Sequence, residues 1–183
     1  MSRTNYLRII FPFGPSVLFP CVKGPDRFMP AIRRFRDVEI RRAARQDLAM
    51  LEEIERSSFQ KERFPRSLLS TITSSEGFLT FVAEEEGGIV GYSSAYLEGR
   101  GRARLISIAV LPRERGKGTA KLLLTRLEGG CAHKGVAVVG LEVAVSNVVA
   151  LRLYFSQGYA IKGMIRDYYG KGKDAFYMVK RLR

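Results

Sequence analysis

Cysteine and histidine are nearly missing from this chain, and each scarcity removes a class of function. Cys21 and Cys131 are the only cysteines in 183 residues. Two thiols cannot build the disulfide framework of a small secreted domain, so a reducing compartment, the cytoplasm, is the expected setting. The one histidine, His133, excludes a multi-histidine metal centre, and any Ser-His-Asp triad would rest on it alone. No metal is expected. Long apolar runs are missing too. A membrane helix needs roughly 20 consecutive apolar residues, and the best stretch, Ile9 to Val22, is broken by Pro12, Gly14, Pro15 and Pro20. The same breaks disqualify it as a signal-peptide core, and no membrane partner is expected.

Acid is the third scarcity. Eighteen Asp and Glu face 31 Lys and Arg, a net charge of +13. Such an excess asks for an anionic partner: nucleic acid, a phosphorylated cofactor or a membrane surface. The charge is concentrated in two places. Residues 1–36 carry a net +6, with Asp26 as their one acid. Residues 100–127 set Arg100, Arg102, Arg104, Arg113, Arg115, Lys117, Lys121 and Arg126 against Glu114 alone.

The first concentration shows no helical or strand period, and prolines punctuate it. Residues 1–36 therefore read as a basic, proline-containing N-terminal extension outside the folded core. It is a basic tail, a targeting segment or an overlong start with Met29 as an internal alternative. Residues 37–183 read as one domain, and 46% hydrophobic content is enough to bury a core without disulfides.

From Val38 onward the pattern is regular. Strands are predicted over 38–42, which alternates, over 78–84, 89–96, 105–110, 159–165 and 175–180, and over 136–145, a nearly all-apolar run as expected for a central strand. Helical spacing predicts helices over 46–57, 66–73 (opened by Pro65) and 148–157 (closed by Gly158), with another carrying Ala120, Leu123, Leu124, Leu127 and Cys131 on one face. Gly87-Gly88 marks a hairpin. The order β-α-α-β-β-β-α-β-α-β-β is an α/β class with a mixed sheet.

Two blocks carry chemistry. The first is Leu105 to Thr119: a strand, a turn with Gly116 and Gly118, then a helix start. Glycine lets backbone amides turn toward a ligand, and those amides with the helix dipole favour an anion. Arg113, Arg115 and Lys117 add charge at the same spot. A Walker A loop fails because Gly118, not Ser or Thr, follows Lys117. The dinucleotide fingerprint fails because position 121 is lysine. What remains is R-x-x-G-x-G, which suits a diphosphate but is also an ordinary basic turn. The second block is Leu141 to Tyr159. Glu142 stands in an apolar strand, as a solvated carboxylate or a general base. Ser146 and Asn147 are N-cap candidates. Tyr154, seven residues after Asn147, packs or donates a proton.

Together, R-x-x-G-x-G and L-E-V-x-x-x-N-x-x-A-x-x-L-Y-x-x-x-G-Y resemble the GNAT superfamily of acetyl-CoA-dependent N-acetyltransferases. Within it they are similar to the ribosomal-protein-alanine (RimI) type and the archaeal and eukaryotic protein N-terminal acetyltransferases. Ser107 to Val110, Ser58-Phe59, Phe64-Pro65, Asp167 to Tyr169 and Asp174 to Met178 support the likeness, which covers about 38–183. It implies a central, mostly antiparallel sheet of six to seven strands, splayed at the cofactor site and flanked by about four helices.

The resemblance also implies roles. Ile108, Ala109 and Val110 would present backbone to the pantetheine arm of acetyl-CoA. Glu114, Arg115, Gly116, Lys117, Gly118 and Thr119 would wrap the pyrophosphate, with Arg113 beside it. Asn147 would bond the cofactor. Glu142 matches the general base, acting through water, with Glu55 or water itself as the alternative base, and Tyr154 matches the general acid. Phe64, Pro65, Tyr168 and Tyr169 would clamp a peptide N-terminus. The partner would be a protein or peptide N-terminus, a ribosomal protein among the candidates, with no need of nucleic acid. The basic stretch 100–127 would serve the cofactor's phosphates, with a basic surface left over for an acidic or ribosomal partner. The turn before Arg113 is shorter than in RimI-type chains. A lysine side chain, a polyamine or a small amine is the alternative acceptor. A basic nucleic-acid- or ribosome-binding protein without catalysis is the alternative class.

Overall fold

The computed structural model describes residues 38–59 and 63–182. The N-terminal extension, residues 1–36, lies outside them. The observed order is β1 (Glu39–Arg42), α1 (Leu48–Ser58), α2 (Arg66–Ser74), β2 (Phe78–Glu85), β3 (Gly88–Gly99), β4 (Arg102–Val110), α3 (Thr119–His133), β5 (Val138–Ala144), α4 (Val148–Ser156), β6 (Ala160–Ile165) and β7 (Ala175–Arg181). It reproduces the order expected from the sequence, and the strands form one seven-stranded sheet, β1-β2-β3-β4-β5-β7-β6.

Alternation along β2 to β4 sends side chains to two layers. Leu79, Phe81, Leu105, Ile108 and Val110 face the layer that holds Leu123, Leu124 and Leu127 of α3 and Tyr154 of α4. Val82, Tyr92, Ile106 and Ala109 face α1 and α2, where they meet Leu51, Ile54, Leu69 and Ile72. A register shift beside Ser94 and Ala95 leaves Ile106 without a partner on β3. This is a β-bulge, which bends β4 just before the predicted phosphate turn.

All neighbouring strands are antiparallel except β4 and β5. Their parallel ladder runs from Arg102↔Val138 to Arg104↔Gly140 and stops there. β4 continues to Val110 on β3, and β5 continues to Ala144 on β7. The sheet therefore forks beyond Arg104, which is the expected splay. Among the described residues no helix is long and apolar enough to cross a membrane.

Candidate active site

The fork is walled on one side by the backbone of β4. Leu111 N–H donates to the Val90 carbonyl at 2.9 Å, so by antiparallel alternation Ala109 turns its amide to β3 while Ile108 and Val110 turn theirs into the fork. The Val110 carbonyl accepts from Arg115 Nε at 3.0 Å and from Ser58 Oγ at 3.5 Å. Arg115 thus folds back over the end of the strand.

The turn that follows is tight. Pro112–Glu114 make one 3-10 turn, in which Glu114 N–H donates to the Leu111 carbonyl at 2.8 Å and Arg115 N–H reaches the Pro112 carbonyl at 3.4 Å. Those two amides are engaged within the turn. Gly116 and Gly118 take φ of +76° and +91°, which only glycine adopts readily. Gly118 opens α3, and no side chain caps that helix among the described residues. The amides of its first turn therefore remain free for an anion. Lys117 Nζ bonds Glu114 Oε2 at 2.5 Å, and the Arg113 side chain is largely exposed. Thr119 is buried, with Oγ1 lacking a hydrogen-bond partner among the described residues.

The other wall is β5 and α4. Glu142 is buried, and its Oε1 accepts from Arg104 Nη1 at 2.6 Å while Oε2 has no partner among the described residues. Burial pushes its carboxyl above the usual range, and Arg104 opposes that push. Asn147 is the N-cap of α4, with Oδ1 accepting from Ala150 N–H at 3.1 Å. Its Nδ2 is buried and unpartnered among the described residues. Both sequence readings of Asn147 thus fit together: one end caps, and the other is free to bond a ligand. Tyr154 is fully buried, and its Oη is also unpartnered among the described residues. Burial, aided by Tyr169, raises its hydroxyl far above the ordinary phenol, so it holds its proton.

Tyr169 ties this wall together. Its Oη donates to the Glu142 carbonyl at 3.3 Å, and its ring meets that of Tyr168 edge-on at 4.8 Å. The loop carrying both is fastened by Asp174, whose Oδ1 accepts from Asp167 N–H at 2.9 Å and whose carbonyl accepts from Val145 N–H at 3.0 Å. Phe64 and Pro65 lie in the α1–α2 layer, Pro65 as the N-cap of α2. Phe64 N–H donates to Glu55 Oε2 at 2.6 Å.

Several bases of the stretch 100–127 have partners within the domain. Arg104 is engaged by Glu98 and Glu142, Arg102 Nη2 donates to Tyr177 Oη at 3.1 Å, and Arg126 stacks on Phe81 at 4.7 Å. These three side chains are engaged within the domain, and Arg113, Arg115 and Lys117 are the bases carried by the turn itself. Two groupings form across elements that no local pattern links. One is the Glu98–Arg104–Glu142 chain, which crosses three strands. The other is buried Glu55, whose Oε1 accepts from Tyr92 Oη at 2.5 Å, with Ser107 Oγ 2.9 Å from that hydroxyl. Glu55 has a sequence signal: it lies four residues after Leu51, on the apolar face of α1.

Chemically, the fork offers amides for an extended ligand, a helix N-terminus for an anion, a carboxylate oxygen and a protonated phenol. The sequence profile of the acetyltransferase (GNAT) family matches residues 48–159. An uncharacterized N-acetyltransferase of Methanocaldococcus jannaschii is 37% identical over 78% of this chain and 90% of its own. An N-alpha-acetyltransferase of Saccharolobus solfataricus is 28% identical over 80% and 95%. The crystal structure of the ribosomal-protein-S18-alanine N-acetyltransferase from Escherichia coli superimposes with a TM-score of 0.72 at 26% identity, covering 79% of this chain and 94% of that one.

Proposed function

The chain belongs to the acetyltransferase (GNAT) family, and from that membership we propose that it transfers the acetyl group of acetyl-CoA to the N-terminal α-amine of a protein or peptide. The observation that carries the reading is that four of the buried polar atoms without a hydrogen-bond partner among the described residues belong to residues singled out by the motif: Glu142 Oε2, Asn147 Nδ2, Tyr154 Oη and Thr119 Oγ1. A buried polar atom left unpaired costs about 1–3 kcal/mol, so these four fit a ligand that pairs them. The unpaired edge of β4 fits an amide-bearing arm laid alongside as an added strand. The first turn of α3 fits a diphosphate.

Acetyl-CoA, when bound, supplies a thioester carbonyl for the amine to attack. An α-amine has a pKa of about 8, against about 10.4 for lysine, so its deprotonation near neutrality is a small task for a carboxylate. Glu142 Oε2 receives that proton, directly or through water. The Val110 amide faces the fork and can hold the negative charge that develops on the acyl oxygen. Tyr154, whose Oη has no hydrogen-bond partner among the described residues, gives its proton to the departing sulfur. Asn147 Nδ2 steadies the arm, and Tyr168 and Tyr169 border the entrance for the peptide. A ribosomal protein is a fitting substrate, and the cytoplasm a fitting setting for a chain so poor in cysteine.

The test is acetyl-CoA turnover against peptides differing in their first residue, beside an N-terminally blocked lysine peptide and spermidine. Acetylation of free peptide N-termini well above the other acceptors is expected. Turnover confined to lysine or spermidine would overturn the choice of substrate. No turnover with any amine would overturn the reading as a whole.

A further inference from the structure

We propose that Arg104 is a positioning residue for catalysis: from the last rung before the fork it holds Oε1 of Glu142, so that Oε2 alone faces the amine and the carboxylate stays ionised. The inference rests on the reading of Glu142 as the base.

The geometry is specific. Arg104 pairs with Gly140 at the end of the β4–β5 ladder, and Glu142 stands two residues further along β5. Nη1 of Arg104 lies 2.6 Å from Glu142 Oε1, and its Nε lies 2.7 Å from Oε1 of Glu98 near the end of β3. One guanidinium thus serves two carboxylates. The planar fork of arginine can hold both at once, which the point charge of a lysine does less well. Sharing matters for a base. A buried carboxylate with no counter-ion stays protonated and cannot accept a proton, whereas one with a cation to itself becomes too weak a base. Glu98 tempers Arg104 and leaves Glu142 between those extremes.

Other charged or titratable groups also face Glu142. Tyr177 of β7 is its cross-strand partner, and that hydroxyl accepts from Arg102. Tyr169, from the loop before β7, donates to its backbone carbonyl. Arg104 is the cation in contact with the carboxylate itself.

The experiment is the pH–rate profile of kcat/KM, with acetyl-CoA and a synthetic peptide bearing a free alanine N-terminus, for the full chain and its variants. Arg104→Gln is expected to move the acid limb up by about one to three units, with acetyl-CoA affinity within a few-fold of the parent. Arg104→Lys, which keeps the charge, is expected to restore most of the parent profile. Glu98→Gln removes a like charge near Glu142 and is expected to move the limb down. If Arg104→Gln fails to fold, Glu98→Gln decides the matter, and an unmoved limb overturns the inference. Glu142→Gln separates the two failures. If it leaves the acid limb in place, the base assignment falls and the inference with it. If it moves the limb up to that of the free α-amine, about pH 8, while Arg104→Gln leaves the limb unmoved, the inference alone falls.

Discussion

The hydroxyl of Tyr92 donates to Oε1 of Glu55 at 2.5 Å, and both side chains are buried beneath the α1–α2 layer. The carboxylate is thereby fastened to β3, while its other oxygen holds the Phe64 amide at the entry to α2. One acidic group joins a helix, a strand and the predicted peptide-facing loop.

That arrangement has a pH signature. Burial raises the Glu55 carboxyl from 4.5 to about 6. Between those values the folded chain holds a proton that the unfolded chain has released, so stability falls as pH rises from about 4.5 to about 6. The loss is about 2 kcal/mol at 1.36 kcal/mol per unit. Urea unfolding across this window is expected to show the slope in the parent chain and its loss in Glu55→Gln. Equal slopes would remove Glu55 as the source.

Tyr154→Phe separates chemistry from packing. The hydroxyl has no partner among the described residues, so its removal breaks no hydrogen bond and relieves a desolvated group, leaving stability unchanged or about 1 kcal/mol higher. Turnover is nevertheless expected to fall by about a hundredfold, the contribution of a placed general acid, with the KM for acetyl-CoA little altered. Thermal unfolding and steady-state rates on one preparation make the comparison, and full activity would take Tyr154 out of the mechanism.

Glu142→Gln is expected to be rescued by alkali. Without the carboxylate the α-amine must lose its proton unaided, which it does above its pKa of about 8. The loss in kcat/KM at pH 7 is therefore expected to exceed the loss at pH 9 by about tenfold. A loss of equal size at both would assign Glu142 to packing.

Gly118→Ala tests the turn. A Cβ there meets nothing within 4 Å, yet φ is +91°, so the effect is conformational and costs about 1–2 kcal/mol. A lower melting temperature and a raised KM for acetyl-CoA are expected, with kcat nearly unchanged. An unaltered KM would show that the α3 N-terminus does not hold the diphosphate.

The helices and strands were legible because their patterns are local: Leu123, Leu124 and Leu127 repeat at helical spacing, β2 to β4 are largely apolar runs bounded by glycine or proline, and β5 is an apolar run between Gly135 and the Ser146-Asn147 cap. Glu142, Asn147 and Tyr154 were legible as a motif within one strand and the next helix. Arg104 was not, because the whole of α3 separates it from Glu142 and the meeting depends on how β5 returns beside β4. The Ile106 bulge was hidden too, since no glycine or proline marks it. Glu55 follows Leu51 by four residues and so shares the apolar face of α1, but its partner Tyr92 comes from β3 and no local pattern announces it.

The fork has a further meaning. β5 is joined to β4 by a ladder that ends at Arg104↔Gly140, but to β7 along its whole length. The molecule is thus two plates on a narrow hinge. One plate carries the N-terminus of α3 and the Val110 amide, and the other carries Glu142, Asn147 and Tyr154. Slipping the hinge by a single residue would invert every side chain of the second plate relative to the first and send Glu142 out of reach of Arg104. That ion pair spans the two plates where their ladder ends, and so indexes one against the other.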